Sequence, residues 1–293
     1  MRYKNIVALI LVVFSLFVII GLVSAAPLTP SDDVKKAIKE APSGSTIELD
    51  PTKGDFRLND NKFTEISGTI MIKSSKTNKN AVIDFGGKKG FYSKGKLTLV
   101  NITIKNGKSN DASGTIHNTG DLTIKGCAFA NNQANGYATG GAILNMRTLT
   151  ATNCVFTSNK ANFGGAVTNG GKATFTGCTF TSNNAVTDTG LGGAIFNSDK
   201  ATLTVTKCTF TKNKAYLHGG AIANAGQGAK ATISSSKFTQ NTAPGWGGGA
   251  VSSFAKTTIT SSTFTKNTGK QGPQKGALLK VMGTLTTSKC TFK

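Results

Sequence analysis

The chain has 293 residues, 34 Lys and Arg against 13 Asp and Glu, and a formal charge of +21. Beyond its first two dozen residues no stretch approaches a membrane span, which excludes a chain with several membrane-spanning helices. The basicity is almost all lysine, without clustered arginine or a recognisable binding motif, so nucleic acid is not an expected partner.

A basic start, Met1 to Lys4, precedes an apolar run from Ile6 to Val23 and small residues at Ser24, Ala25 and Ala26. That layout predicts a secretory signal peptide over residues 1–26, or an uncleaved N-terminal membrane tether. Loss of Arg2 and Lys4 with a leader of 25 residues lowers the formal charge from +21 to +19. The protein is therefore expected outside the cell or on its surface. Its lysines either fringe a soluble surface and keep long sheets from pairing edge to edge, or attract an anionic partner.

Residues 27–45 predict a short helix, with Val34, Ala37 and Ile38 on one face and Lys35, Lys36, Lys39 and Glu40 outside. Ser31 or Asp32 is the expected N-cap, and Pro42 and Gly44 stop the helix. Its expected role is to cover the open N-terminal edge of the strands beyond it. Irregular strands are predicted at Thr46–Leu49, Thr69–Ile72, Ala81–Ile83 and Leu97–Ile104, with regular repeats from about residue 97.

The repeat itself is Cys/Ser-x-Phe-x-x-Asn-x-Ala followed by Gly-Gly-Ala-Ile/Val. Its phenylalanines are Phe129, Phe156, Phe180, Phe210, Phe238 and Phe264, closed by Phe292, at steps of 27, 24, 30, 28, 26 and 28 residues. A period in the twenties with alternating apolar residues is the signature of a solenoid. Each coil reads as three short strands, which predicts an all-β parallel β-helix over residues 46–293 with the phenylalanines stacked inside.

Glycines at Gly114, Gly141, Gly165, Gly193, Gly220, Gly249 and Gly276 mark a bend that needs positive φ or close backbone approach. Two asparagine columns mark the other bends, where the left-handed region and axial amide hydrogen bonds suit Asn. One comprises Asn132, Asn159, Asn183, Asn213, Asn241 and Asn267, the other Asn118, Asn145, Asn169, Asn197 and Asn224. Both read as structural ladders. A column of outward threonines runs from Thr98 through Thr123, Thr150, Thr174, Thr204, Thr232 and Thr258 to Thr286. β-Branched Thr suits an exposed sheet face, and a flat array of it also matches a regular surface such as ice.

These paired Phe-x-x-Asn and Gly-Gly-Ala-Ile/Val motifs resemble the repeats of chlamydial polymorphic outer-membrane proteins. They also resemble the adhesin-like surface proteins of methanogenic archaea, to which lysine-rich coils such as Cys208-Thr209-Phe210-Thr211-Lys212-Asn213 are closer. The likeness covers about residue 97 onward. It implies a right-handed parallel β-helix displayed outside the cell. Neither an autotransporter barrel nor a wall-binding domain follows the repeats. The last coil, Cys290 to Lys293, shows no cap, which points to a partner chain at that end or to a shortened member of the family.

Candidate chemistry is sparse. Cys127, Cys154, Cys178, Cys208 and Cys290 all stand two residues before Phe, where other coils put Ser236 and Ser262. That exchange predicts small inward thiols rather than disulfides, and a column too long to converge on one zinc ion. No metal or cofactor is expected. Parallel β-helices also host polysaccharide lyases and hydrolases, which need paired carboxylates or an acidic cluster. After Asp121 only Asp188 and Asp199 remain, and His117 and His218 lie coils apart. His218 or a lysine is the remaining base for such an enzyme. Tyr137, Phe163, Leu191, Tyr216 and Trp246 fall in the variable loops and, if stacked, form an aromatic ridge. Tyr137, Phe163, Tyr216 and Trp246 are thus the candidate ligand-binding residues, unless they fold back over the corner of the coil. The expected function is adhesin-like, multivalent binding to an anionic or glycan surface, a cell wall or a surface protein of another cell, without catalysis.

Overall fold

The computed structural model describes residues 26–58, 60–111, 113–135, 140–185, 187–270 and 276–293. The leader up to residue 25, and Tyr137, lie outside the described residues. No helix among the described residues is long and apolar enough to cross a membrane.

The chain winds into a right-handed parallel β-solenoid whose strands pair only in parallel, each coil with the next. Three sheets carry the wall. The threonine sheet has ten strands, from Ser45–Leu49 to Leu285–Ser288. The phenylalanine sheet also has ten, from Phe56–Arg57 to Thr291–Phe292. The asparagine sheet has nine, from Thr64–Ile66 to Leu278–Lys280. A fourth element accompanies the three expected strands. It is a short sheet of seven two-residue strands, from Lys108–Ser109 to Thr268–Gly269, that comes after the phenylalanine-sheet strand in the coils from Ile102–Lys105 to Thr263–Thr265.

Regular stacking starts earlier than the repeat motif suggests. Phe56, Ile83, Ile104 and Phe129 occupy one registered row, so the second and third rungs use isoleucine where the first and the later ones use phenylalanine. The expected strand Leu97–Ile104 is two, Lys96–Val100 and Ile102–Lys105, because Asn101 takes φ 53° and turns the corner. That corner recurs with positive φ at Gly126, Asn153, Gly177, Lys207, Ser235, Ser261 and Lys289.

Inside, the phenylalanine rings form a continuous stack. Centroids of Phe129, Phe156, Phe180, Phe210, Phe238, Phe264 and Phe292 succeed one another at 4.7–4.9 Å, within 11° of parallel. The spacing is set by the rung distance of a parallel sheet, about 4.8 Å. Each ring buried this way contributes about 1.5–3 kcal/mol of transfer free energy. Phe175 adds an edge-on ring to this stack, 5.4 Å from Phe180, and its registered neighbour is the small Ala151.

The corners consume the polar groups. Asn132, Asn159, Asn183, Asn213, Asn241 and Asn267 form a buried ladder with Nδ2–Oδ1 distances of 2.9–3.0 Å. The left-handed residue lies one position earlier than expected, at Asn131, Ser158, Ser182, Lys212, Gln240 and Lys266. The second ladder runs through Asn118, Asn145, Asn169, Asn197 and Asn224 at 2.7–2.8 Å. It ends on Thr257 at 2.9 Å.

The cysteines are free, and four of them are buried. Each thiol donates to the carbonyl two residues back, as Cys154 does to Thr152 at 3.3 Å. Ser236 makes the same bond to Ser234 at 2.8 Å, which explains the Cys/Ser exchange. The column also accepts backbone N–H groups from the preceding coil: Cys154 N to Cys178 Sγ at 3.4 Å, and Cys208 N to Ser236 Oγ at 3.1 Å.

At the N-terminal end a single helix, α1 (Val34–Glu40), closes the wall. Its N-cap is Asp33 rather than Ser31 or Asp32: the Asp33 carboxylate accepts from Lys36 N at 3.0 Å, while Asp32 caps the turn at Thr29. Val34 and Ile38 join the core. Lys35, expected outside, is only 8% exposed because its ammonium pairs with Asp60 and donates to Lys62 O at 3.1 Å. Leu28 pairs with Leu49 and occupies the free edge of the first threonine strand.

Candidate functional site

Between the short sheet and the asparagine sheet each coil carries its variable loop, closed by the glycine pair. The pair divides the labour expected of one residue. Gly140, Gly164, Gly192 and Gly219 have positive φ, and the adjacent Gly165 sits so close to the next coil that a Cβ would meet Gly193 O at 2.2 Å. The described loops are thereby held at one edge of the rod.

This edge splits the expected aromatic ridge. Phe163, Leu191 and His218 pair in parallel from coil to coil, so His218 rather than Tyr216 continues the row. Phe163 turns inward over the asparagine sheet, its ring 5.2 Å from Phe196 and its carbonyl accepting from Thr168 Oγ1 at 3.0 Å. The covered Leu144, Thr168, Ala223 and Ser252 are buried although they lie at the outward position of their strands. His218 lies edge-on to Phe254 at 4.9 Å. Tyr216 and Trp246 remain outside, 45% and 53% exposed. They stand on adjacent coils, joined by Gly245 N to Tyr216 O at 2.8 Å and Trp246 N to Leu217 O at 3.1 Å.

Lys270, from the next coil, places its ammonium 5.2 Å from the Trp246 ring centroid. A cation over an exposed indole contributes about 0.5–1 kcal/mol. Sequence reading missed this pairing, since 24 residues of chain separate Trp246 from Lys270 and only the coil register brings them together.

The charge distribution along the rod is uneven. Residues 122–293 contain 17 lysines and arginines but only Asp188 and Asp199 as acids. Every ion pair among the described residues falls between Lys35 and Arg147, as in Lys73–Glu48 at 2.7 Å and Lys94–Glu65 at 2.8 Å. The Lys94 ammonium, and then the Ser67 hydroxyl, hold Glu65 below the usual carboxylate range. Asp55 in turn holds Lys105 above the usual lysine range. Beyond Arg147 the lysines have no such partners among the described residues.

The threonine column runs in register on the outer face of its sheet, Thr98 through Thr286 on successive coils. The two histidines stay apart. His117 stacks on Tyr92 at 4.8 Å, and the Lys94 ammonium lies 5.0 Å from the centroid of that tyrosine ring. Burial lowers the pKa of both His117 and His218, favouring neutral imidazoles. His218 Nδ1 is buried without a hydrogen-bond partner. Among the described residues, no cluster of three or more His, Cys, Asp or Glu is placed to hold a metal ion. A polar cleft of about 330 Å³ opens beside α1, between Asp32, Asp33, Lys35 and Asp60, at the other end from Tyr216 and Trp246.

Parallel coils stacked in register around an aromatic core define a β-solenoid repeat protein. The chain belongs to the right-handed β-helix family: it matches the family model for the right handed beta helix region over residues 45–194 and 116–238. A comparison with curated proteins gives no match. The fold is one that adhesins share with carbohydrate-active enzymes.

Proposed function

We propose that this protein is an exported or surface-displayed, adhesin-like rod that binds glycan, cell-wall or protein surfaces through many weak contacts, without catalysis. The observation that carries this reading is the run of lysines without an ion-pair partner among the described residues beyond Arg147, along one registered stack, with Tyr216 and Trp246 projecting beside them. Registered coils repeat the same presentation at fixed intervals, so modest contacts add as avidity. An N-terminal tether is consistent with the basic and apolar start of the sequence. A glycan array combined with product analysis tests the reading. Retained ligand of unchanged length supports it; shortened or unsaturated sugar overturns it.

A second reading, a carbohydrate-active enzyme, rests on His218. Its neutral, half-buried imidazole and unpartnered Nδ1 suit a general base. On that reading His218→Ala abolishes turnover of a bound glycan while leaving its retention intact.

A further inference from the structure

The loop edge carries a second regularity that the aromatic residues alone do not explain. On the short sheet, Lys108, Gln133, Lys160, Asn184 and Lys214 occupy one registered outward row that continues into Thr242 and Thr268, so an exposed lysine recurs on alternate coils from Lys108 to Lys214. At the corner just before, Lys212, Gln240 and Lys266 repeat the pattern, linked by Lys212 N to Thr239 O and Gln240 N to Thr265 O at 3.0 Å each. Just after it come Tyr216, Trp246 and Lys270. Two coils correspond to about 9.6 Å of rod.

We propose that this edge is a binding site for an acidic linear polysaccharide lying along the solenoid axis, with Lys214 and Lys266 pairing with its carboxylate or sulfate groups. Tyr216 and Trp246 take the faces of intervening sugar rings, and Lys270 supplies a further cation at the indole. The inference rests on the adhesin reading and narrows it to one edge and one ligand chemistry. Charge spacing selects the occupant. Duplex DNA carries one charge per about 1.7 Å of axis, far denser than lysines recurring near 9.6 Å. A glycan with an acid on alternate sugars presents charges sparsely, and its rings offer the apolar faces that exposed aromatics need. Asp188 lies in the loop of the coil before Tyr216 and limits the strip on that side.

The test titrates the full chain with size-defined hyaluronan and keratan sulfate, whose acids fall on alternate sugars, beside neutral dextran and duplex DNA of equal total charge. Lys214→Glu with Lys266→Glu is expected to weaken binding of the acidic glycan at least about tenfold and to flatten its salt dependence. Trp246→Ala is expected to weaken binding by about fivefold or more with the salt slope unchanged. Lys172→Glu with Lys230→Glu, an equal charge change at exposed positions of the threonine sheet, is expected to alter affinity less than about twofold. All these side chains are exposed, and circular dichroism checks that each variant folds. Equal losses from the two double variants, DNA binding as tight as the glycan, or no binding of either acidic glycan overturns the inference. If the protein still retains neutral glycans on an array, the adhesin reading survives that result. If it retains none, both fall.

Discussion

Asn183 Nδ2 donates to Asn213 Oδ1 at 2.9 Å, and the backbone N–H of Asn183 reaches the same oxygen at 3.0 Å. The second N–H of the Asn183 amide goes to Phe156 O at 2.9 Å, and its own oxygen receives both groups of Asn159. Every polar valence of this buried side chain is used within the ladder. Asn183→Ala strands two donors of Asn159, each a penalty of about 1–3 kcal/mol, and leaves Asn213 Oδ1 with the backbone N–H alone while opening a buried cavity. We expect a loss of at least about 3 kcal/mol in urea unfolding. Asn135→Ala, which removes only surface amide contacts to Asn110 and Gln133, should stay within about 0.5 kcal/mol.

The thiol column predicts a graded response to substitution. Cys178→Ser keeps both the donation to Thr176 O and the acceptance from Cys154 N, as Ser236 does two coils on, and should cost less than about 1.5 kcal/mol. Cys178→Val keeps an apolar side chain but leaves the Cys154 N–H unpaired, at about 1–3 kcal/mol. In the native state a thiol reagent should modify Cys290 first, since the other four are buried. Adjacent thiols and burial also hold Cys154 and Cys208 above the usual thiol range, which slows their reaction further.

Two glycines should behave oppositely. At Gly165 an added methyl meets Gly193 O at 2.2 Å and Asn184 N at 2.5 Å, all backbone, so Gly165→Ala must separate two coils. At Gly170 its two nearest contacts are atoms of the flexible Met146 side chain, at 3.1 Å. Thermal unfolding should show a fall of several degrees for Gly165→Ala and little change for Gly170→Ala.

Acid should weaken the fold in two stages. His117 and His218 have pKa values lowered by burial, so their stabilising neutral forms are fully present above about pH 6.5. That contribution is lost as pH falls below this value toward the lowered ones. Asp60, held down by hydrogen bonding to Lys35, and Glu65, held down by Lys94, keep their contribution until the pH drops below about 4. Urea midpoints measured from about pH 8 to about pH 3 should show both declines. Replacing both histidines by phenylalanine should remove the first and spare the second.

The solenoid was legible because its repeat states the rule openly: Phe, Asn and Gly return at one place in every coil. The first coils escaped because Ile83 and Ile104 fill the phenylalanine row, and isoleucine at a strand centre carries no period of its own. The short sheet was hidden for a simpler reason, since two residues such as Lys160–Ala161 are too few to show alternation. Lys35 misled because a lysine on the covered face of α1 reads as surface until Asp60 is seen beside it. The candidate site was half legible. Aromatic residues in variable loops marked one edge of the coils, but whether a ring folds inward depends on its neighbour one coil away. Phe163 meets Phe196 there, whereas Trp246 meets a lysine.

Coil steps differ by up to six residues, from 24 to 30, yet the strand registers continue unchanged across all of them. The surplus in the longest step sits at two margins, the loop before Gly192 and the turn at Ser198–Lys200. Growth and trimming at those margins are thus mechanically insulated from the sheets that bear the stack. A lineage carrying this scaffold can rewrite what it touches, or change its reach by whole coils, without renegotiating how it folds.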